Sequence, residues 1–223
     1  MKDSQIHRTT FLPVGLRLDG VPVAVFGGGT VGERRVRCLL ACGAHVKLFS
    51  PDSTAGLAAL ADAGEIEWFA RLGRESDLRG MALAVIATND TVANEALAVA
   101  ARSQGVLVNR ADDAGGSDLV FPAILDLDGL RIAIHTDGRA PSFAAAVRRR
   151  LELELGSEIG ELLAFFEEIR KRVMASALDV DRRGALLRRM AESDLPDVLK
   201  KAGWDAALAA ASAMLSEEMA RAQ

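Results

Sequence analysis

The sequence predicts an α/β protein: a doubly wound parallel sheet, then a small α+β segment, then a helical C-terminal part. Three observations carry this prediction. Short β-branched runs alternate with helical stretches between residues 21 and 108. A G-x-G-x-x-G turn separates the first run from the first helical stretch. Beyond residue 141 the apolar residues recur at helical spacing to the end of the sequence.

Each element follows from its own residues. Residues 21–26 (VPVAVF) are continuously apolar and bounded by glycine, as in a strand buried on both faces. A helix is expected over 30–42, a second strand over 45–49, and a helix over 52–63 that Gly64 ends. Residues 66–69 read as a third strand, 82–87 (ALAVIA) as a fourth, 91–103 as a helix and 106–108 as a fifth strand. After Asn109 the pattern changes. Two apolar runs, 119–126 and 130–135, are joined by the turn-prone Leu127-Asp128-Gly129 and read as antiparallel strands. Pro141 suits the first turn of a helix over 142–155, and Ala, Leu, Glu and Arg fill the rest of the chain in helical periodicity. The segment 113–118 (DAGGSD) is a plausible boundary, and the chain is divided at 1–113, 114–155 and 156–223.

Composition narrows the function classes. The chain has 223 residues, 50% of them hydrophobic, and 27 Lys plus Arg against 31 Asp plus Glu, a net charge of −4. That balance excludes disorder as the main state and argues against a nucleic-acid binder that works by bulk charge. Aromatics are only 4% and Tyr is absent, which weakens any reading based on base stacking. No apolar run approaches the ~18 residues of a membrane span, and the start MKDSQIHRTT lacks a signal-peptide core, so a soluble cytoplasmic protein is expected. Cys38 and Cys42 read as small core residues on one helix face rather than a disulfide. His7, His45 and His135 are scattered singly, so no permanent metal site is expected.

The chemistry-bearing residues fall at the carboxyl ends of the expected strands. In Gly27-Gly28-Gly29-Thr30-Val31-Gly32, Gly27 suits a tight turn, Gly29 a close approach to pyrophosphate, and Gly32 close helix–strand packing. The acid expected about 20 residues on comes slightly late, in Phe49-Ser50-Pro51-Asp52. Asp52 is placed either to reach a ribose hydroxyl or to act as an acid at a helix N-terminus, and the sequence leaves both open. No Arg follows that strand to take a 2′-phosphate, so NAD is preferred over NADP. Thr88 and Asn89 stand where they can line the cofactor cleft, while Asp90 equally suits a helix cap. In Asn109-Arg110-Ala111-Asp112-Asp113, Asp112 is the first candidate for an acid/base group, although adjacent aspartates on a loop are also what a solvated turn contains.

Taken in order, these motifs resemble the precorrin-2 dehydrogenase/sirohydrochlorin ferrochelatase family, which includes the N-terminal part of siroheme synthase. The residues that carry the resemblance are FLPV at 11–14, GGGTVGERRVRCLLACGAHV at 27–46, IATND at 86–90, NRADD at 109–113, DLVFPAI at 118–124 and IAIHTDGRAPSFAAAVRRRLE at 132–152. The resemblance implies an NAD-binding Rossmann domain over 1–113, a dimerisation domain over 114–155 and a C-terminal helical domain over 156–223. It implies NAD-dependent oxidation of precorrin-2 to sirohydrochlorin, and in some members insertion of ferrous iron to give siroheme. It places the family's essential aspartate on Asp112 and its cofactor contacts on Thr30, Val31, Pro51 and Asp52. Two departures stand out. Ala140 occupies the position before Pro141 where related enzymes can carry a regulatory serine, and the methyltransferase part of the fused enzyme is not in the sequence, so the chain is not expected to make its own precorrin-2.

A substrate rich in carboxylates calls for cationic and polar neighbours. Asn109, Arg110, Arg139 and His135 are the candidate substrate contacts, with Arg131 and Arg148–Arg150 as further cations. The last three also suit a solvated helix end, and a lone His is more often structural. Apolar central strands with few partners suggest a homodimer. Two rival readings remain: a non-catalytic NAD-binding redox sensor, and a dehydrogenase for another small acid.

Overall fold

The computed structural model describes residues 11–156 and 158–222. The polar start with His7, and Ser157 at the head of the expected helical tail, lie outside the described residues. The chain forms two compact units: one runs to Pro122 and includes His135–Pro141, the other comprises Ala123–Ile134 and the chain from Ser142.

In the first unit, β1 (Pro22–Phe26), β2 (His45–Phe49), β3 (Ile66–Phe69), β4 (Leu83–Ile86) and β5 (Leu107–Arg110) form one parallel sheet in the order β3-β2-β1-β4-β5. The crossovers are α1 (Thr30–Leu40), α2 (Ala55–Asp62) and α3 (Thr91–Ser103), with a short 3-10 turn at Glu75–Leu78 before β4. Strand side chains alternate between faces. Val23, Val25, Leu48 and Val85 therefore pack with Val36, Leu39 and Leu57, while Ala24, Phe26, Ile86 and Val108 pack with Leu97, Ala98 and Ala101. Fully burying a side chain of the Val, Leu or Phe class is worth about 1.5–3 kcal/mol, so the sheet with its two covered faces is the source of rigidity at its carboxyl edge.

Three boundaries differ from expectation for local reasons. Helix α1 stops at Leu40, so Cys42 lies past its end and is exposed rather than part of the core, while Cys38 is half-buried. Helix α2 starts at Ala55 rather than at residue 52 because Thr54 is its N-cap: the Thr54 hydroxyl accepts the Leu57 N–H at 3.2 Å and donates to Glu33 Oε2 at 2.6 Å. Residues 51–53 are thereby released from the helix. The sixth strand starts at Ala123 rather than at residue 119. Asp118 and Leu119 instead both donate to the Val108 carbonyl at 2.8 and 3.2 Å, and Leu119 and Phe121 pack on the α1 side of the sheet. Pro122, which has no N–H, follows.

In the second unit, β6 (Ala123–Leu127) and β7 (Leu130–Ile134) pair antiparallel through a two-residue turn. Asp128 and Gly129 both take positive φ, 47° and 103°, the conformation that matches the twist of a tight hairpin. Helix α4 (Pro141–Leu155) precedes a bundle of α5 (Ile159–Ala175), α6 (Val180–Ala191), α7 (Leu195–Ala202) and α8 (Trp204–Arg221). Phe165, Ile169, Val173, Leu186, Met190, Leu195, Leu199 and Ala207 form the bundle core. No helix among the described residues is long and apolar enough to cross a membrane.

Thr54 both caps α2 and ties it to Glu33 of α1. Thr54→Val is expected to lower stability by about 1–2 kcal/mol in urea unfolding, the range for losing an N-cap side chain.

Candidate functional site

A cleft of about 630 Å3 opens at the carboxyl edge of the parallel sheet, where the loops after β1, β2 and β4 meet. That volume lies within the roughly 300–1,000 Å3 usual for ligand sites, and the position is the switch point where the strand order reverses about β1. Its walls include Gly27, Gly28, Gly29, Pro51, Asp52, Thr88 and Asn89.

The glycine loop is fixed residue by residue. Gly27 has φ 108° and donates to the Phe49 carbonyl at 3.1 Å, and a Cβ there would collide with the Ala87 carbonyl oxygen. Gly28 donates to the buried Ser50 hydroxyl at 2.9 Å and accepts from Thr54 N–H at 3.0 Å, and its own Cβ would strike the Asp52 carbonyl oxygen. Gly29 differs from both. Among the described residues nothing lies within 4 Å of where its Cβ would stand, and it caps α1 with no side-chain hydrogen bond to the helix start. An open face beside a helix N-terminus without a side-chain cap is what a pyrophosphate requires, so these residues fit a dinucleotide. Gly32 is buried at the start of α1 and packs against the Gly27 carbonyl oxygen, so its closest constraint is the loop rather than a strand. Thr30 and Val31 occupy the first turn of α1, exposed and outside the cleft lining.

On the other walls, Pro51 and Asp52 are exposed and precede α2, which puts Asp52 on the cleft rather than inside a helix. Asn89 is exposed. Asp90 caps α3, its Oδ1 accepting from Val92 N–H and Ala93 N–H at 3.0 Å each.

Thr88 leads from the cleft to Asp112. The Thr88 hydroxyl lies 2.5 Å from Asn94 Oδ1 and accepts from Asp90 N–H at 3.2 Å. Asn94, fully buried on α3, donates through Nδ2 to the Thr88 carbonyl at 3.1 Å and to Asp112 Oδ2 at 3.2 Å. Arg110 grips the same carboxylate, Nε to Oδ1 at 3.2 Å and a terminal nitrogen to Oδ2 at 2.9 Å. The other terminal nitrogen of Arg110 pairs with Glu95 and lies 3.7 Å from Asp113 Oδ2. The Arg110 hydrogen bonds, and after them the Asn94 amide, hold the Asp112 carboxyl below its ordinary range against the opposing effect of burial. Asp112 is thus an ionised carboxylate whose side chain keeps 24% exposure.

The expected substrate contacts separate. The Arg110 side chain is only 7% exposed and faces three carboxylates of this chain. Asn109 is 2% exposed, donates to the Leu119 carbonyl at 3.0 Å and, by strand alternation, points to the opposite face from Arg110. Its buried Oδ1 has no hydrogen-bond partner among the described residues. His135 packs edge-on to Phe11 at 5.5 Å and accepts the Asp137 N–H at 3.2 Å. Arg139 is exposed, with Nε on the Thr136 carbonyl at 3.3 Å. Among the described residues no group of three or more His, Cys, Asp or Glu is arranged to hold a metal ion.

Gly28, Ser50, Asn94 and Glu95 were not singled out in the sequence. For Asn94 a signal existed: it falls in helical register with the buried Leu97, Ala98 and Ala101, and a polar side chain on an apolar helix face calls for a buried partner.

Two outcomes follow from this geometry. Gly29→Ala should fold with unchanged Tm yet weaken NAD binding, measured by calorimetry, by at least about 1.4 kcal/mol, tenfold in Kd. The depressed Asp112 pKa contributes stability that is present above the unfolded value of ~3.9 and lost as pH falls through the lower folded value. Urea unfolding of Asp112→Asn should therefore depend less on pH below about pH 4 than that of the unaltered chain.

Residues 14–123 match a family model described as "Putative NAD(P)-binding". The siroheme synthase of Chromobacterium violaceum is 37% identical over 189 residues, covering 85% of this chain and 40% of that protein. Siroheme synthase 1 of Aeromonas salmonicida is 36% identical over 184 residues, covering 82% and 39%. The chain thus spans about two fifths of the length of these curated relatives. Among solved structures, "SirC, precorrin-2 dehydrogenase" superposes with a TM-score of 0.75 at 25% identity, over 91% of this chain and 99% of that one. The doubly wound NAD-type fold and the resemblance read from the motifs agree with these matches. The chain is thus similar to a putative NAD(P)-binding family over its first half, to siroheme synthases over about two fifths of their length, and in fold to a solved precorrin-2 dehydrogenase.

Proposed function

We propose that the chain catalyses NAD-dependent oxidation of precorrin-2 to sirohydrochlorin, as a cytoplasmic step of siroheme biosynthesis. The observation that carries this reading is the hydrogen-bonded path from Thr88, on the cofactor cleft, through Asn94 to the ionised carboxylate of Asp112. Oxidation removes two hydrogens from the macrocycle, one as hydride and one as a proton. Bound in the cleft, oxidised NAD supplies the hydride acceptor. The protein supplies the rest: Gly27–Gly29 and the N-terminus of α1 seat the pyrophosphate, Asp52 stands at the ribose, and Asp112 takes the proton. The Arg110 and Asn94 hydrogen bonds favour the ionised form of Asp112, and its negative charge steadies positive charge on the macrocycle while the proton leaves. Arg110 holds that carboxylate in place, and the exposed Arg139 is a cation suited to meet substrate carboxylates.

The same carboxylate suits a second reaction on the product, in which ferrous iron as substrate replaces two pyrrole protons that a base must accept. Formation of siroheme from ferrous ion and sirohydrochlorin in the absence of NAD is the test of that extension.

We also propose a homodimer built on the β6–β7 segment, with residues 114–155 as the dimerisation part, 1–113 as the cofactor part and 156–223 as the helical part. The hairpin pairs only with itself in the described chain, so both of its outer edges have unpaired backbone groups. A lone two-stranded sheet is marginal in water, and pairing with a second copy would satisfy an edge.

Two measurements check these readings. Asp112→Ala should retain NAD binding and lose turnover of precorrin-2 by about 10²–10⁴-fold, the range for a positioned acid–base group. Unaltered protein that leaves precorrin-2 unchanged with NAD would end the assignment. In sedimentation at micromolar concentration the chain should run as a dimer, and a monomer there removes the second proposal.

A further inference from the structure

Resting on the reading of Asp112 as the proton acceptor, we propose that Asn94 is a positioning residue for the reaction: it fastens the Asp112 carboxylate to the cofactor wall, so that cofactor and base share one rigid reference. The side chain is completely buried at the start of α3 and its amide is directed at two residues, Thr88 and Asp112. Its orientation follows from its neighbours. Nδ2 faces two acceptors, the Thr88 carbonyl and Asp112 Oδ2, and must be the NH2 end, which leaves Oδ1 to receive the Thr88 hydroxyl proton. Both N–H bonds of the amide are thus used, one on the cleft loop and one on the base. Thr88 is held from both its carbonyl and its hydroxyl, so that hydroxyl faces the cofactor only as an acceptor.

The adjacent residue reinforces the arrangement. Glu95 pairs with the terminal nitrogen of Arg110 that Asp112 does not use, so consecutive residues of α3 control the carboxylate, Asn94 directly and Glu95 through Arg110. The charged groups around Asp112 are Arg110 from β5, Asp113 from the following loop and Glu95 from α3; Asn94 and Thr88 are neutral. One guanidinium is therefore shared among three carboxylates. The neutral amide supplies a donor to Asp112 without adding a fourth charge to a cluster that is already net negative.

The test is Asn94→Asp, which keeps the side-chain volume, removes the donor and sets a carboxyl against Asp112. Carbon-13 NMR titration of the Asp112 carboxyl in the full chain should show its midpoint rising by about one pH unit or more, as for paired carboxylates. In steady-state oxidation of precorrin-2, the acid limb of the kcat profile should move up in pH by the same one unit or more, with the loss greatest at the lowest pH assayed and recovering as pH rises, because a raised pKa leaves more of the base protonated at the lower pH. The KM for NAD should stay within about threefold, since the glycine loop is untouched. A merely structural Asn94 would give a loss of kcat that is the same at every pH and an Asp112 midpoint that does not move, and that result overturns the proposal. Should Asn94→Asp not fold, Thr88→Val removes the hydroxyl that anchors Asn94 Oδ1, and the same titration is read: a raised midpoint supports the proposal and an unmoved one overturns it. If the unaltered chain does not oxidise precorrin-2, the assigned reaction fails while the titration still decides whether Asn94 holds the carboxylate.

Discussion

Two hydrogen bonds at the carboxyl end of β1 fix the site. Gly27 N–H meets the Phe49 carbonyl at 3.1 Å and Ala87 N–H meets the Phe26 carbonyl at 2.8 Å, so the loops after β1, β2 and β4 are fastened to one another where their strands end. Both bonds require backbones so close that a side chain at Gly27 cannot be accommodated. The cleft is the space left above this junction, and its rigidity derives from a central strand buried on both faces rather than from contacts within the loops.

From that junction the polar groups extend outward in one direction. Thr88 lies one residue past Ala87, Asn94 reaches it from α3, and Asp112 reaches Asn94 from the loop after β5. Elements far apart in sequence therefore meet through side chains whose backbones are set by sheet register. Arg110 completes the arrangement from below, buried and pairing with acids of its own chain. This cation meets acids of its own chain, and its hydrogen bonds lower the pKa of Asp112.

The strands, their parallel direction and the glycine turn were legible because each is written in consecutive residues: an apolar run, a breaker, a helical period. Cap residues were legible to within a few positions, and the misplaced start of α2 shows the limit, since Thr54 rather than Asp52 makes the capping bond. Asp112 stands out as a candidate by its place at the carboxyl end of a strand and by the order of the motifs around it. What the sequence did not reveal depends on contacts across many residues. Arg110 looks like any strand-end cation until Glu95, fifteen positions earlier, is seen beside it. Residues 119–121 look like the start of a strand until Asp118 and Leu119 are found on the Val108 carbonyl, attached to the preceding sheet. The periodicity of α3 marks Asn94 as a polar side chain on an apolar face, but not the groups it meets.

The division of the chain has a consequence for its synthesis. The first compact unit runs to Pro122, is interrupted by the β6–β7 hairpin, and resumes with His135–Pro141. Translation that halts at residue 122 therefore yields all five strands of the parallel sheet without the last seven residues of the unit to which they belong. A nascent chain emerging from the ribosome must hold the nearly finished sheet, extrude the hairpin, and only then receive the closing segment. Circular permutation or domain grafting at 122/123 would separate that segment from its sheet, whereas a cut after residue 141 leaves the first unit with all its parts.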